Sequence, residues 1–204
     1  MLDRRVLDLS RGALQTLARA LIARGMKADQ VSWAGFVIGL TTVPLIAQHH
    51  YAWAMLLILM NRLADGLDGT MARLTQPSDR GAFLDIALDF LFYSSIPLAF
   101  ALADPPGNAL AAAVLIYAFV GTGSTFLAFA VIAAKRRLAS AAYPAKGFYY
   151  LGGLTEATET IAVFLAMCLF PDWFSALAYG FAALCALTTI TRIVAGLRAF
   201  KDMG

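Results

Sequence analysis

Charge is the scarcest property of this chain: Asp, Glu, Lys and Arg together make up 14% of its 204 residues, while 60% are hydrophobic. A soluble globular domain of this size carries roughly a quarter charged residues, so that class is excluded. Cysteine is limited to Cys168 and Cys185. Both sit in apolar runs, where small buried hydrophobes are expected rather than a disulfide. Histidine is limited to the adjacent pair His49 and His50, whose side chains would point in different helical directions; a solvated loop is expected there, not a metal site. No internal repeat or low-complexity tract is present, and a net charge of +3 gives no nucleic-acid signal. What matters is where the few charges fall.

In place of charge there are long apolar runs, at residues 31–48, 52–70, 82–102, 109–134, 148–170 and 174–198. With a mean hydropathy of +0.71 this is an all-α integral membrane protein. Its length fits a single bundle of six transmembrane helices of roughly 20 residues each, joined by short connections. None of the 16 basic residues falls in the connections HHY, ADPPGN or PDW on one side. The positive-inside rule therefore places both termini, and the loop after the second span, on the cytoplasmic side of the membrane. Ahead of the first span, Leu2, Val6, Leu9, Leu17 and Leu21 recur at helical spacing against Arg4, Arg5, Asp8, Arg11, Gln15 and Arg19. This predicts an amphipathic helix over residues 1–27 lying at the membrane surface, followed by a six-helix domain over 28–204. A signal peptide would need an uninterrupted apolar centre and a cleavage pattern, both missing here.

The charges that remain inside the apolar runs are concentrated between Asn61 and Asp89, NRLADGLDGTMARLTQPSDRGAFLDIALD. Asp65 and Asp68 are an i,i+3 pair, and Asp85 and Asp89 an i,i+4 pair. Each pair lies on one helix face, so two antiparallel helices could bring four carboxylates around one point. Such a cluster repels itself without a cation, and an all-oxygen donor set suits Mg²⁺ or Mn²⁺ rather than zinc. Four acids suit two ions. Gly66 and Gly69 allow close approach to the backbone, and the Arg73 fork matches phosphate oxygens. Carboxylates, a divalent ion, glycines and arginine together indicate a diphosphate substrate.

Written as a pattern, D-x-x-D-G-x-x-A-R followed after seven residues by G-x-x-x-D-x-x-x-D is filled by Asp65, Asp68, Gly69, Ala72, Arg73, Gly81, Asp85 and Asp89. It resembles the signature of the CDP-alcohol phosphatidyltransferases. Eight fixed positions between two apolar runs make the match specific. Ala28 to Ser32 is similar to the P-N-x-x-T element before the first span of that family, with Ala28 for the proline and Asp29 for the asparagine; Asp29 is expected to cap the next helix. The resemblance implies transfer of a phosphatidyl group from CDP-diacylglycerol, or a related CDP-alcohol, to an acceptor alcohol with release of CMP. It implies Asp65, Asp68 and Asp85 as metal ligands, Asp89 as general base as well as ligand, and Gly69, Ala72 and Arg73 against the cytidine diphosphate. Gly66 fits the same lining role.

Glu156 and Glu159 are expected about two turns into the fifth span, one helical step apart, where carboxylates are costly and face a cavity or partner. They would either pair with Arg192 or line the acceptor side, near Phe148, Tyr149 and Tyr150. Carboxylates and aromatic rings favour a neutral or cationic acceptor, while Lys146, Arg136 and Arg137 offer a rival site for a phosphorylated one. Arg62 and Arg192 are read as snorkelling residues or as partners of the aspartates. Gly121, Gly123, Gly152 and Gly153 mark close helix packing, with a homodimer contact as one use of it. Two other classes use similar residues. An aspartate-rich membrane prenyltransferase would place its pairs on well-separated helices; a divalent-cation transporter would carry polar residues across the full membrane depth.

Overall fold

The computed structural model describes residues 2–136 and 155–201, and every regular element among them is helical. In chain order these are α1 (Leu2–Ala23), α2 (Ala28–Leu40), α3 (Thr42–Ala47), α4 (Tyr51–Leu74), α5 (Asp79–Ala103), α6 (Pro105–Lys135), α7 (Ala157–Leu169), a 3₁₀ turn (Pro171–Trp173) and α8 (Phe174–Ala199). Among the described residues, four stretches, Ala28–Ala47, Asp79–Ala103, Pro105–Lys135 and Pro171–Ala199, are long and apolar enough to cross a membrane. Of the two other expected spans, α4 carries Arg62, Asp65 and Asp68 within its apolar run, and α7 is described over 13 residues only. Lys146, Phe148, Tyr149, Tyr150, Gly152, Gly153 and Arg137 lie outside the described residues.

The expected first span is divided at Thr41 into α2 and α3. Pro44 lacks the N–H that would reach back to the Leu40 carbonyl, and its ring crowds that turn. Hydroxyls take over part of the bonding there: Thr41 Oγ1 donates to the Ile38 carbonyl and Thr42 Oγ1 to that of Gly39, each at 2.6 Å. Gly35 and Gly39 then let α2 lie against α4 and α5 at contact distance. A Cβ on Gly35 would come within 2.6 Å of Ala64 Cβ, and one on Gly39 within 2.8 Å of the Phe92 ring. Asn61 Nδ2 closes this seam by donating to the Gly35 carbonyl at 3.0 Å.

Behind the seam an aromatic core joins the helices. Phe100 stacks on Phe174 with centroids 4.5 Å apart, and Phe92, Tyr93, Phe119 and Phe164 meet edge-on or tilted. Gly121 and Gly123 of α6 serve close packing within the chain, since a Cβ would meet Thr189 of α8 at 3.0 Å and Phe90 of α5 at 2.7 Å. The amphipathic α1 does more than face a membrane surface. Ala18, fully buried, packs with Leu14, Leu21 and Ile22 against Leu67 and Met71 of α4.

Candidate active site

The two acidic helices are positioned by local chemistry at their facing ends. Pro77 stands just past the last residue of α4, and Thr75 Oγ1 donates to the Met71 carbonyl at 2.8 Å, closing the last turn. Ser78 is the N-cap of α5, its hydroxyl accepting from the Gly81 N–H at 3.0 Å, with Asp79 in the first turn where the helix dipole favours an anion. The connection from Thr75 to Ser78 is short, so α5 runs back antiparallel to α4, with α2 packed against both. Asp29 does not cap α2. Lys27 is the N-cap residue, its backbone N–H donating to the Gln30 side chain at 2.9 Å. The carboxylate of Asp29 instead pairs with Arg80 Nε at 3.1 Å, tying the start of α2 to the start of α5.

Asp65, Asp68 and Asp85 each offer a carboxylate oxygen within 4.8 Å of the others. Asp68 is buried, Asp65 half-buried and Asp85 exposed, so the group opens to one side. They line an open cleft together with Ser32, Gly35, Phe36, Asn61, Arg62, Leu88 and Asp89. The Ser32 hydroxyl sits against the Asp68 carboxylate. Three carboxylate donors with no nitrogen or sulfur among them fit a hard divalent cation.

Asp89 lines the same cleft but stands outside that three-carboxylate group. Its Oδ1 accepts from Arg62 Nη2 at 2.6 Å and its Oδ2 from the Tyr93 hydroxyl at 3.2 Å. Arg62 also donates to the Tyr93 oxygen at 2.9 Å and to Asn61 Oδ1 at 3.2 Å, and lies 3.4 Å from Asp65. Its guanidinium rests over the rings of Phe92 and Tyr93, 5.8 and 5.4 Å from their centroids. Of the two readings of Arg62, the structure supports partnership with the aspartates.

The other expected residues are arranged less tightly. Gly66 faces α1, where a Cβ would lie 3.5 Å from Leu14. Gly69 leaves room for Arg73, whose Nη1 would lie 3.4 Å from an added Cβ, and Arg73 Nη2 donates to Thr70 Oγ1 at 3.0 Å. Neither Gly66, Gly69, Ala72 nor Arg73 lines the carboxylate cleft. Glu156 and Glu159, expected two turns into a continuous span, lie instead at the beginning of α7. Glu156 is its N-cap residue, and the Glu159 carboxylate accepts the Glu156 backbone N–H at 3.2 Å. That cap starts a helix, with Thr155 and Glu156 outside it. Arg192 Nη1 donates to the Thr122 carbonyl at 3.0 Å. Ser32, Asn61 and Tyr93 join the aspartates without belonging to the motif. Helical spacing alone could have flagged two of them, since Asn61 is one turn before Asp65 and Tyr93 one turn after Asp89.

Apolar helices, a carboxylate cleft at one end of an antiparallel helix pair and the D-x-x-D-G-x-x-A-R motif define a membrane-embedded transferase for CDP-linked alcohols. The family model for CDP-alcohol phosphatidyltransferase matches residues 26–195, and the chain belongs to that family. Among individual proteins it is 48% identical over 203 residues to "Inner membrane protein YnjF" of Escherichia coli K12, covering 100% of this chain and 98% of that protein. It is 37% identical over 73 residues to a phosphatidylcholine synthase of Legionella bozemanae, covering 33% of this chain and 34% of the synthase. In fold it resembles the phosphatidylinositol phosphate synthase PgsA1 of Mycobacterium tuberculosis solved with CDP-DAG bound, with a TM-score of 0.67 at 20% identity over 94% of this chain and 98% of that one. The same synthase solved with manganese and citrate superposes with a TM-score of 0.66, also at 20% identity, over 94% of this chain and 93% of that one. The prenyltransferase and transporter readings lose their basis with this membership.

Proposed function

We propose that this enzyme transfers the phosphatidyl group of CDP-diacylglycerol, or a related CDP-alcohol, to an acceptor alcohol and releases CMP. The observation that carries the reading is the convergence of Asp65, Asp68 and Asp85 within 4.8 Å, with Asp89 held beside them by Arg62 and Tyr93. Asp65, Asp68 and Asp85 would hold Mg²⁺ or Mn²⁺, two ions with the help of Asp89, and that charge offsets the negative charge growing on the phosphoryl oxygens and the leaving CMP. Asp89 takes the proton of the acceptor hydroxyl as its oxygen bonds to phosphorus and the bond to CMP breaks. Gly69, Ala72 and Arg73, and more distantly Gly66, are assigned to the cytidine diphosphate. The Arg73 fork, exposed at the end of α4, donates to Thr70 Oγ1 and suits a phosphate.

The acceptor side is assigned to the start of α7. Glu156 and Glu159 put two carboxylates there, outside the aspartate cleft, so their share is in admitting the alcohol. Carboxylates favour a cationic or neutral alcohol, and the partial likeness to a phosphatidylcholine synthase points the same way. The same proposal takes six spans, an N-terminal interfacial segment over residues 1–27 ahead of the catalytic unit over 28–204, both termini and the cleft on the cytoplasmic face of an inner membrane, and a homodimer. The inner-membrane placement leans on the name of the relative that is 48% identical.

Purified protein given CDP-diacylglycerol, Mn²⁺ and a panel of alcohols tests the reading. CMP release is expected with a neutral or cationic alcohol in preference to glycerol 3-phosphate or inositol phosphate. No CMP release with any acceptor overturns the transfer, and preference for a phosphorylated alcohol moves the acceptor site to the basic residues around Arg136.

A further inference from the structure

The start of α2, the end of α4 and the start of α5 lie together at the end where the cleft opens. Asp29, Ser32 and Phe36 follow one another at i, i+3 and i+7 on one face of α2, and Gly81, Asp85 and Asp89 at i, i+4 and i+8 on one face of α5. Ser32, Phe36, Asp85 and Asp89 all line the cleft, so Asp29 and Gly81 stand one turn beyond it, at its mouth. They are close there: a Cβ on Gly81 would lie 3.6 Å from Asp29 Oδ1. Arg80 Nε holds the other oxygen of that carboxylate at 3.1 Å, and the two partners are unequally placed, with 28% of the Asp29 side chain exposed against 77% of Arg80.

We propose that Arg80 is a second phosphate-binding arginine, held on Asp29 in the free enzyme and passed from that carboxylate to the diphosphate when a CDP-linked substrate enters the mouth. An ion pair with so exposed a partner is weak, so it exchanges cheaply. A guanidinium fork matches phosphate oxygens with parallel N–H bonds, and a diphosphate carries more charge than the carboxylate it replaces. Arg73, at the other end of the short connection between α4 and α5, offers a second exposed fork. Opening the pair does not free α2, because Asn61 still donates to the Gly35 carbonyl at 3.0 Å. Asp29 thereby keeps the arm at the mouth and lowers its attraction for anions that do not repay the broken pair. That role rests on the reading of this chain as a transferase for CDP-linked alcohols.

Equilibrium binding of radiolabelled CDP to detergent-purified protein at fixed Mn²⁺ reads the exchange, because the two partners then act with opposite sign. Arg80→Gln is expected to weaken CDP binding about tenfold, the scale of one charge-assisted contact, and Arg80→Lys, which keeps the charge without the fork, by less. Asp29→Asn releases the arm and is expected to tighten CDP binding about two- to fivefold, the range of an exposed ion pair. In Asp29→Asn/Arg80→Gln that gain should vanish. A pair that serves the fold alone lowers the midpoint of thermal unfolding in both single variants, with CDP affinity falling in both or in neither. That pattern overturns the proposal, as do a gain from Asp29→Asn that survives Arg80→Gln in full and absence of CDP binding by the parent. CMP release from CDP-diacylglycerol on the same samples keeps the two readings apart: a parent that binds CDP, with variants in the expected order, but releases no CMP with any alcohol loses the transfer and keeps the arm.

Discussion

Asp89 and Asp65 are the same residue type on neighbouring helices, yet their surroundings give them different work. Asp65 shares its space with Asp68 and Asp85, three acids that need a cation between them. Asp89 already has one in Arg62. Replacing Asp65 or Asp68 by Asn is therefore expected to weaken Mn²⁺ dependence and CDP binding together. If Asp89 is the proton acceptor proposed above, replacing it by Asn removes that function while leaving the three-carboxylate group intact, so turnover should fall by about 10²–10⁴-fold with CDP binding retained. Equilibrium binding of radiolabelled CDP alongside steady-state CMP release separates the two patterns. Near-normal turnover by Asp89→Asn would remove the general-base assignment.

At the scale of the helix, the position of α4 against α2 depends on residues that have no side chain. At Gly35, an added methyl would sit 2.6 Å from Ala64 Cβ, so the helices must part. Overpacking of that kind costs about 1–3 kcal/mol, more than the ~1 kcal/mol of helix propensity gained on going from Gly to Ala. Gly180 of α8 has nothing within 4 Å of its missing Cβ. Gly35→Ala is thus expected to lower the midpoint of thermal unfolding in detergent and to reduce CMP release by displacing Asn61, whereas Gly180→Ala should leave both unchanged or raise the midpoint. A Gly35→Ala protein as stable and active as the parent would mean that the α2–α4 seam does not hold the cleft in shape.

Much of this was legible beforehand, and the exceptions have causes. The spacing of Asp65, Asp68, Asp85 and Asp89 placed both pairs on helix faces because a 3.6-residue period fixes which residues share a face. Tyr93 lies one turn after Asp89 and is legible from that spacing, but periodicity says nothing of what stands opposite, so the reach of Arg62 from α4 to Asp89, 27 residues away in sequence, is visible only in the fold. The break at Thr41 was obscured by apolar residues on both sides, although Pro44 supplied the physical reason for it. Glu156 and Glu159 were placed inside a span because hydropathy runs on around them. A backbone N–H seeking a partner decided otherwise, and the i,i+3 pair became a cap.

For the whole molecule, the helix ends sort into two sets. Ser175 Oγ donates to the Gly107 carbonyl at 2.9 Å, and Tyr51 stacks on Phe100 at 5.7 Å, which gathers the starts of α4, α6 and α8 at one end. Arg136 donates to the Phe200 carbonyl at 3.3 Å, and Asp29 pairs with Arg80, at the other end, where the carboxylate cleft opens. With that second end cytoplasmic, single cysteines at Gly107 and Asp172 in a chain lacking Cys168 and Cys185 should react with an impermeant maleimide from the periplasm, and one at Arg136 only after permeabilisation. The reverse pattern would put the cleft on the face where CDP-linked substrates are not supplied from the cytosol.

The clasp between Arg62 and Asp89 also bears on how the chain enters the bilayer. Alone, α4 is a poor client for insertion, because Arg62, Asp65 and Asp68 each oppose entry by about 2.5–3.5 kcal/mol at mid-bilayer depth and less toward the surface. Within α4 the arginine has Asp65 at 3.4 Å, but its closer partner, Asp89 at 2.6 Å, arrives only with α5, after the four residues from Thr75 to Ser78. The two helices should therefore leave the translocon as a pair: a nascent chain ending at Leu74, probed by glycosylation mapping in membranes, is expected to insert α4 inefficiently, and one extended to Ala103 to insert it well, with Asp89→Ala removing part of that gain. In that sense the arginine that pairs with Asp89 at the cleft also escorts its own helix into the membrane.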